Sequence, residues 1–461
     1  MPRLPQPGAD ALVWGDVLNE FLRVEHGSNG SLKLRTDGTL DEYYKKPAAG
    51  IPQSDLSVSL QSDIAYASTV LNVKKYGAFG NGSTDDTAAI QTAIDALPEA
   101  GGQVFIPSGT YVISSSLVLA EGVQLVGTGP GSILRVASGS LGIDVIQIGD
   151  GSGTVSFASV CDIKISSDGQ KTGGAAIKMT LGYRVWIERV ALEYQYRGVY
   201  MYNSTAIWLQ NSDIRDTTEN AITIESDYMQ GFEWYITNVL CDNPTVTNVG
   251  SGLYWDGGES LRVTQSNFQR FATGFMVAPS DGRESRFAFI DGMLCDFASD
   301  NNVKVTNSGS GAAIGITFSN SWSGTATNYG ILMERPGAGL VQGLRWTGGK
   351  VFHNGLAGFR LAGGLDMHIS NTDIIANSQT VSAARHGVEV GAGVGDFSVQ
   401  NCRIGGGYQQ GDTQGYAIHI DAGGSDHYMI TGNDCHGNNN TPKIDDNGTG
   451  VNKVVANNLE A

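Results

Sequence analysis

A chain of 461 residues with 63 glycines and only 16% charged residues suits a turn-rich all-β protein rather than a helical one. Its charge, 29 basic against 46 acidic residues or −17, excludes nucleic acid as the main partner and makes a highly anionic ligand awkward without a cation or a local basic patch. Five widely spaced cysteines exclude a paired disulfide framework and show no zinc-type spacing, so buried free thiols are expected, with Cys241 and Cys435 at apolar positions of a repeat that begins near residue 160.

In chain order, the Pro-rich start through Gly8 carries no apolar run of the signal-peptide kind. No stretch is long enough to span a membrane, so membrane insertion is not expected. A protein folded in the cytoplasm that acts elsewhere fits this start. Val13, Trp14, Val17, Leu18, Phe21 and Leu22 form one apolar stripe on a short helix that needs a partner. Asn29-Gly30 and Asp37-Gly38 are turn signals, and Pro47 to Pro52 reads as a linker. Ser54 caps a helix in which Leu56, Leu60 and Ile64 recur every fourth residue. It is either a brief neck between chains or a few turns packed on their own domain.

The stretch from Leu71 organises the rest of the chain. A strand is expected over Leu71 to Tyr76, then a Gly-rich turn from Gly77 to Gly82. Thr84, Asp85 and Asp86 stand where a helix N-cap is wanted, with carboxylates near the positive end of the helix dipole. Ala89, Ile90, Ala93, Ile94 and Leu97 fall on one face, predicting a helix over Asp86 to Leu97. Pro98 and Gly101-Gly102 end it before a strand at Val104 to Ile106. A capped amphipathic helix ahead of a strand-rich region suits a lid over the end of a core, and makes Asp85 and Asp86 structural rather than catalytic.

From about residue 160 the chain repeats every 22–31 residues or so, the range of stacked solenoid units. Leu209-Gln-Asn-Ser-Asp-Ile214, Ile369-Ser-Asn-Thr-Asp-Ile374 and Val399-Gln-Asn-Cys-Arg-Ile404 are instances of one motif. Gly198-Val-Tyr-Met-Tyr, Ala221-Ile-Thr-Ile-Glu and Gly252-Leu-Tyr-Trp-Asp are instances of a second, alternating one. The expected fold is all-β, a parallel β-helix of ten or more rungs.

Stacked rungs turn alternation into columns. One outward column runs Tyr200, Thr223, Tyr254, Met276, Lys304, and on through Leu332, Arg360, Glu389 and His419. The next runs Tyr202, Glu225, Asp256, and on to Glu334 and Asp421. Glu225 and Asp256 fall one rung apart, about 4.7–4.9 Å, a spacing at which two carboxylates repel and one pKa rises toward a general-acid value. Glycosidases need such a pair. Glu225 and Asp256 are therefore the candidate catalytic carboxylates, with Tyr200, Tyr202, Thr223 and Tyr254 as candidate substrate-binding residues. Glu334, Arg360, Glu389, His419 and Asp421 form a second, mixed-charge cluster. No metal site or cofactor is expected, and Asp445-Asp446-Asn447-Gly448 reads as a turn.

Tyr76-Gly77-Ala78, Gly80-Asn81-Gly82, Thr84-Asp85-Asp86-Thr87, Ala89-Ile90-Gln91, Ile94 and Ile106-Pro107-Ser108-Gly109-Thr110-Tyr111 together resemble the start of the pectate-lyase-like right-handed β-helix family, which includes many phage tailspikes. Pro5-Gln6-Pro7 with Trp14-Gly15-Asp16-Val17-Leu18 looks like the N-terminal segment of phage tail-fibre-like proteins. The resemblance implies a right-handed β-helix over residues 71–461, an attachment region over 1–50 that meets other virion tail proteins, and a linker or neck over 51–70. It also implies a homotrimer, assembled in the host cytoplasm and carried on the virion tail, that binds a bacterial surface polysaccharide and depolymerises it as a glycoside hydrolase or polysaccharide lyase. A cellular pectate-lyase-like enzyme and a non-catalytic receptor-binding tail protein are the alternatives. The polygalacturonase motifs do not carry over, since Asn371-Thr372-Asp373 falls at a repeat turn rather than on the outward strand.

Overall fold

The computed structural model describes residues 69–461 apart from 228–229, 247, 407–412 and 461, together with two short strands nearer the N-terminus. The chain divides into Met1–Ser68 and Thr69–Ala461. In the first unit Glu25–His26 pairs antiparallel with Leu32–Lys33, on either side of the Asn29-Gly30 turn signal. The stripe from Val13 to Leu22 and the Leu56/Leu60/Ile64 helix lie outside the described residues.

The second unit is a parallel β-solenoid of about 14 turns with very little helix. Its strands line up in a 13-stranded and a 28-stranded sheet. The alternation in the sequence produces this directly. Ile222 and Ile224, Leu253 and Trp255, and Phe275 and Val277 point inward and are fully buried, stacked in register from rung to rung. Rings continue down the interior: Phe318 stacks on Trp346 at 5.0 Å, and Trp346 meets Phe359 edge-on at 5.7 Å. Burying such columns is the main favourable term, because one rung alone cannot cover its apolar face.

The polar residue in each repeat also has a physical role. Asn211, Asn238, Asn371 and Asn401 sit at φ 51°, 53°, 53° and 54°, the left-handed region that Asn tolerates better than other side chains. Each marks a sharp bend between two short runs of the 28-stranded sheet.

A second set of amides is buried. Asn302 Nδ2 donates to Asn354 Oδ1 (3.3 Å), Asn354 Nδ2 to Asn377 Oδ1 (2.8 Å), Asn377 Nδ2 to Gln414 Oε1 (2.9 Å) and Gln414 Nε2 to Asn438 Oδ1 (3.0 Å). This ladder crosses five side chains with no water-facing member. Replacing Asn377 by Leu strands two donors on Asn354, its Nδ2 and its backbone N, which both bond Asn377 Oδ1, each costing about 1–3 kcal/mol, while Gln414 Oε1 keeps the backbone N of residue 377. The expected result is a loss of roughly 2–5 kcal/mol in denaturant unfolding at unchanged secondary structure.

The first turn departs from expectation in detail. Only Val70–Asn72 is strand, and Val73–Tyr76 is a short 3₁₀ turn, since Asn72 accepts from Lys74 N at 2.9 Å and draws the chain in. The helix is Thr87–Asp95, shorter than Asp86 to Leu97. Asp86 occupies the N-cap position but does not cap the helix with its side chain. Its carboxylate turns back to Phe79 N (2.5 Å) and Gly80 N (3.0 Å) and ties the Gly-rich turn to the helix. Asp85 instead takes Thr87 N at 3.0 Å, so both acids are structural. The helix packs on the first strands with Ile90, Ala93 and Ile94 buried.

At the other end Asp445-Asp446-Asn447-Gly448 is not a turn but part of the strand Ile444–Gly448, the last of the 13-stranded sheet. Beyond it Val451, Val454, Val455 and Leu459 are exposed. All five cysteines are free, and Cys241 and Cys435 are buried as expected. Burial pushes the Cys402 and Cys435 thiols up to about 11 and about 12, which makes them poor nucleophiles. No described helix is long and apolar enough to cross a membrane.

Candidate functional site

The outer face of the 13-stranded sheet carries the predicted columns. Tyr200, Thr223, Tyr254 and Met276 pair in register, as do Tyr202, Glu225 and Asp256, on strands Arg197–Tyr202, Ile222–Glu225, Ser251–Asp256 and Thr273–Val277. Inward Met201, Ile224, Trp255 and Val277 alternate with them and fix which face they occupy.

The structure adds residues that alternation could not supply. Ser280 to Arg283 form a tight turn closed by Arg283 N to Ser280 O at 3.0 Å, and the Arg283 guanidinium lies among three carboxylates. Its Nη1 is 2.7 Å from Asp256 Oδ2 and 3.8 Å from Glu225 Oε2, and its Nη2 is 3.1 Å from Asp227 Oδ1. The repulsion expected between Glu225 and Asp256 is thus offset by a shared cation. Burial opposes the Arg283 charge, but Asp256, Asp227 and Glu225 outweigh it and raise its pKa.

Each predicted residue has a distinct place. Glu225 accepts from the Tyr200 hydroxyl at 2.9 Å and keeps a partly exposed side chain. Asp256 is 5% exposed. It takes Ser280 N at 2.8 Å, Ser280 Oγ at 3.0–3.1 Å and Arg283, so it anchors the turn and does not project into solvent. Thr223 is fully buried, and its hydroxyl accepts from Asn220 Nδ2 at 3.3 Å. It lies in the column but not on the accessible surface.

Tyr202 donates to Asp227 at 2.6 Å. That bond leads the effects that hold the Asp227 carboxyl below its usual range, against some burial. Burial, then the charges of Asp256 and Glu225, raise the Tyr254 hydroxyl to about 12. Burial followed by Glu225 raises Tyr200 as well, so both phenols are protonated donors at neutral pH. Asp227 was legible as the next outward position past Glu225. Arg283 was not, since it arrives from a turn outside the repeat.

Further along, Arg360, Glu389, His419 and Asp445 stack in register. Arg360 Nη2 reaches Asp421 at 3.1 Å, and His419 bridges Asp421 (3.1 Å) and Asp445 (2.8 Å). Glu334 is not part of this cluster; it pairs with Lys304 at 3.0 Å and Thr306 Oγ1 at 3.1 Å. Glu389 is 1% exposed, and its Oε1 has no hydrogen-bond partner. Burial raises its pKa despite Arg385 and Arg360 nearby. A raised carboxyl pKa favours the protonated folded state, so this contribution is present below the unfolded value near 4.5 and is lost as pH rises through the folded pKa. Glu389→Gln, neutral at every pH, should therefore melt higher than the parent at pH 7 and match it near pH 4, read by thermal denaturation across that range. Burial likewise depresses His386 to about 4, which adds stability above the imidazole's ordinary pKa that is lost as pH falls toward 4.

Among the described residues no group of three or more His, Cys, Asp and Glu side chains is arranged to hold a metal ion.

Residues 70–276 match the family model described as Rhamnogalacturonase A/epimerase, pectate lyase-like. Mannuronan C5-epimerase AlgE3 of Azotobacter vinelandii is 32% identical over 139 residues, which is 26% of this chain but only 8% of that protein. The A-module of mannuronan C-5 epimerase AlgE6 from the same organism superposes with TM-score 0.54 at 18% identity, covering 85% of this chain and 99% of that one. Bacteriophage CBA120 tailspike protein 3 superposes with TM-score 0.57 at 12% identity, covering 92% of this chain and 70% of that one. Residues 70–276 thus carry a pectate-lyase-like match, and the chain shares the right-handed parallel β-helix fold of an epimerase module and a phage tailspike.

Proposed function

We propose that the chain is a phage or prophage tailspike whose β-helix binds a bacterial surface polysaccharide along the outer face of the 13-stranded sheet and cleaves it beside Glu225. The observation that carries this reading is one constellation: Tyr200 and Tyr202 donate to Glu225 and Asp227 around Arg283 on that face. Tyrosine rings supply flat surfaces for sugar rings and hydroxyls for their oxygens.

Glu225 is the working carboxylate, general base or nucleophile, because it is partly open and held by one phenol. Asp256, the second carboxylate of the sequence-predicted pair, acts through Arg283 as a positioning residue. Asp227 is the open carboxylate that completes the pair such chemistry needs. Tyr254 packs against the sugar. Three carboxylates around one guanidinium leave the cluster net anionic, which favours neutral or amino sugars over uronate-rich chains. That differs from the mannuronan and alginate named for the sequence relatives. No cofactor enters the reading.

Incubation with purified host capsule is the test. New reducing ends support cleavage; without a conjugated double bond they fit hydrolysis of neutral or amino sugars, whereas a conjugated double bond would show elimination from a uronate and overturn that sugar preference. Binding without any new ends overturns the catalytic part. The tailspike reading also carries a homotrimer on the virion tail, attached through residues 1–50. Light scattering should give roughly three times the chain mass of 48.6 kDa; the monomer mass at micromolar concentration contradicts it.

A further inference from the structure

On the 28-stranded sheet, away from the tyrosine face, a hydrogen-bonded relay of serine, histidine and aspartate lines a cavity of about 690 Å³. Strands Met367–Ser370 and Phe397–Gln400 are neighbours, with His368 opposite Ser398. His368 Nδ1 is 2.7 Å from Ser398 Oγ, and its Nε2 is 2.9 Å from Asp366 Oδ1. Asp366 precedes the strand with φ 57°, a bend that brings its carboxylate round to the histidine two residues on.

Arg345, one rung earlier in the same column, holds that carboxylate through Nη2 at 3.0 Å to each oxygen and donates from Nη1 to the Asp366 carbonyl at 2.9 Å. An ionised carboxylate only accepts, so Asp366 fixes the proton on Nε2 and leaves the Nδ1 lone pair facing the serine hydroxyl. Triads are recognised by these roles and distances, not by fold or chain order.

We propose that Ser398, His368 and Asp366 form an esterase site that removes small O-acyl groups from a sugar. Ser398 is 6% exposed, at the floor of the cavity, where an acyl carbonyl can approach while the sugar stays at the mouth. Its Oγ attacks the carbonyl carbon and passes its proton to His368 Nδ1. The carbon–oxygen bond to the sugar breaks, and the departing sugar oxygen takes that proton to leave as a hydroxyl. Water, deprotonated by the same nitrogen, then hydrolyses the acyl-serine and releases the carboxylic acid. Gln400 lies two residues along the same strand, on the same face and in the same cavity. Its Nε2 donates to Thr431 Oγ1 at 3.2 Å and to Met429 Sδ at 3.0 Å, and the weak bond to sulfur is the one exchanged for the developing oxyanion. Burial works to raise the Asp366 carboxyl, but Arg345 and His368 outweigh it and keep that carboxyl below its usual range.

The sugar as acyl carrier rests on the proposed function, but the serine chemistry does not. The full chain is treated with a fluorophosphonate probe and assayed with p-nitrophenyl acetate. The expected result is one label per chain on the peptide holding Ser398. In Ser398→Ala, which removes one oxygen and keeps the melting temperature, labelling is lost and ester hydrolysis falls at least ~100-fold. His368→Asn should slow both to a similar degree. Absence of labelling, labelling retained in Ser398→Ala, or hydrolysis unchanged in both variants overturns the proposal. Polysaccharide cleavage is assayed separately. A protein that cleaves but does not react with the probe overturns this proposal alone; one that reacts but does not cleave overturns the proposed function alone.

Discussion

On the proposed function, Glu225→Gln is expected to lower polysaccharide cleavage by about 10²–10⁴-fold, the usual contribution of a positioned acid–base group, while the melting temperature should hardly move. The amide keeps the shape of the side chain and still accepts from Tyr200, but it cannot take a proton or attack. Glu225 lies on the outer face, apart from the apolar core, and substitutions at such open positions usually stay within about 0.5 kcal/mol. Cleavage kinetics and a thermal melt on the same preparation check both halves. Asp256→Asn behaves differently. Its carboxylate is buried and receives Ser280 and Arg283, so the amide loses charge-assisted bonds worth about 1.5–3 kcal/mol and releases the arginine. Stability and activity should fall together there, which separates a positioning role from a chemical one.

Trp255→Ala carries the largest expected stability effect, about 3–5 kcal/mol. The indole is fully buried in the stacked core, and its Nε1 donates to Gly257 O at 2.8 Å. Its removal leaves a cavity directly beneath the strand that presents Tyr254 and Asp256 on the other face. Packing density leaves neighbours little freedom to fill it. Chemical denaturation should show the loss, and weaker oligosaccharide binding should accompany it as Tyr254 loses its support. An unchanged midpoint would mean that the rungs relax independently of one another.

Much of this architecture was legible because a solenoid converts sequence period into spatial position. Once Gly198-Val-Tyr-Met-Tyr and its successors are aligned, alternation alone places Tyr200 over Thr223 and Tyr254, and Tyr202 over Glu225 and Asp256, as the register shows. Position in a column did not give exposure. Thr223 is buried, and Asp256 is drawn down by a turn 24 residues later in the chain. The partner that sets the chemistry came from outside the repeat, where no period exists: Arg283 arrives from a turn, whereas Asp227 only continues the outward alternation past the end of its strand.

The same limit applied at both ends of the solenoid. Asp86 has an N-cap's sequence position but satisfies backbone amides of the preceding turn, a choice that local propensity does not encode. Asp445 to Gly448 has turn composition yet extends as a strand, because the rung before it offers a parallel edge and His419 offers Asp445 a partner. Neighbouring rungs override the intrinsic preference of short polar segments.

In the proposed function, sugar chains are bound and cut on the tyrosine face of the 13-stranded sheet. The direct test is a crystal structure of Glu225→Gln soaked with an oligosaccharide fragment that the parent protein releases from capsule. A sugar ring is expected against Tyr254, with hydroxyls within hydrogen-bond reach of Tyr200 and Tyr202 and the scissile linkage beside residue 225 and Asp227. A fragment seated instead over Glu389 and His419, or on the 28-stranded sheet, would contradict it.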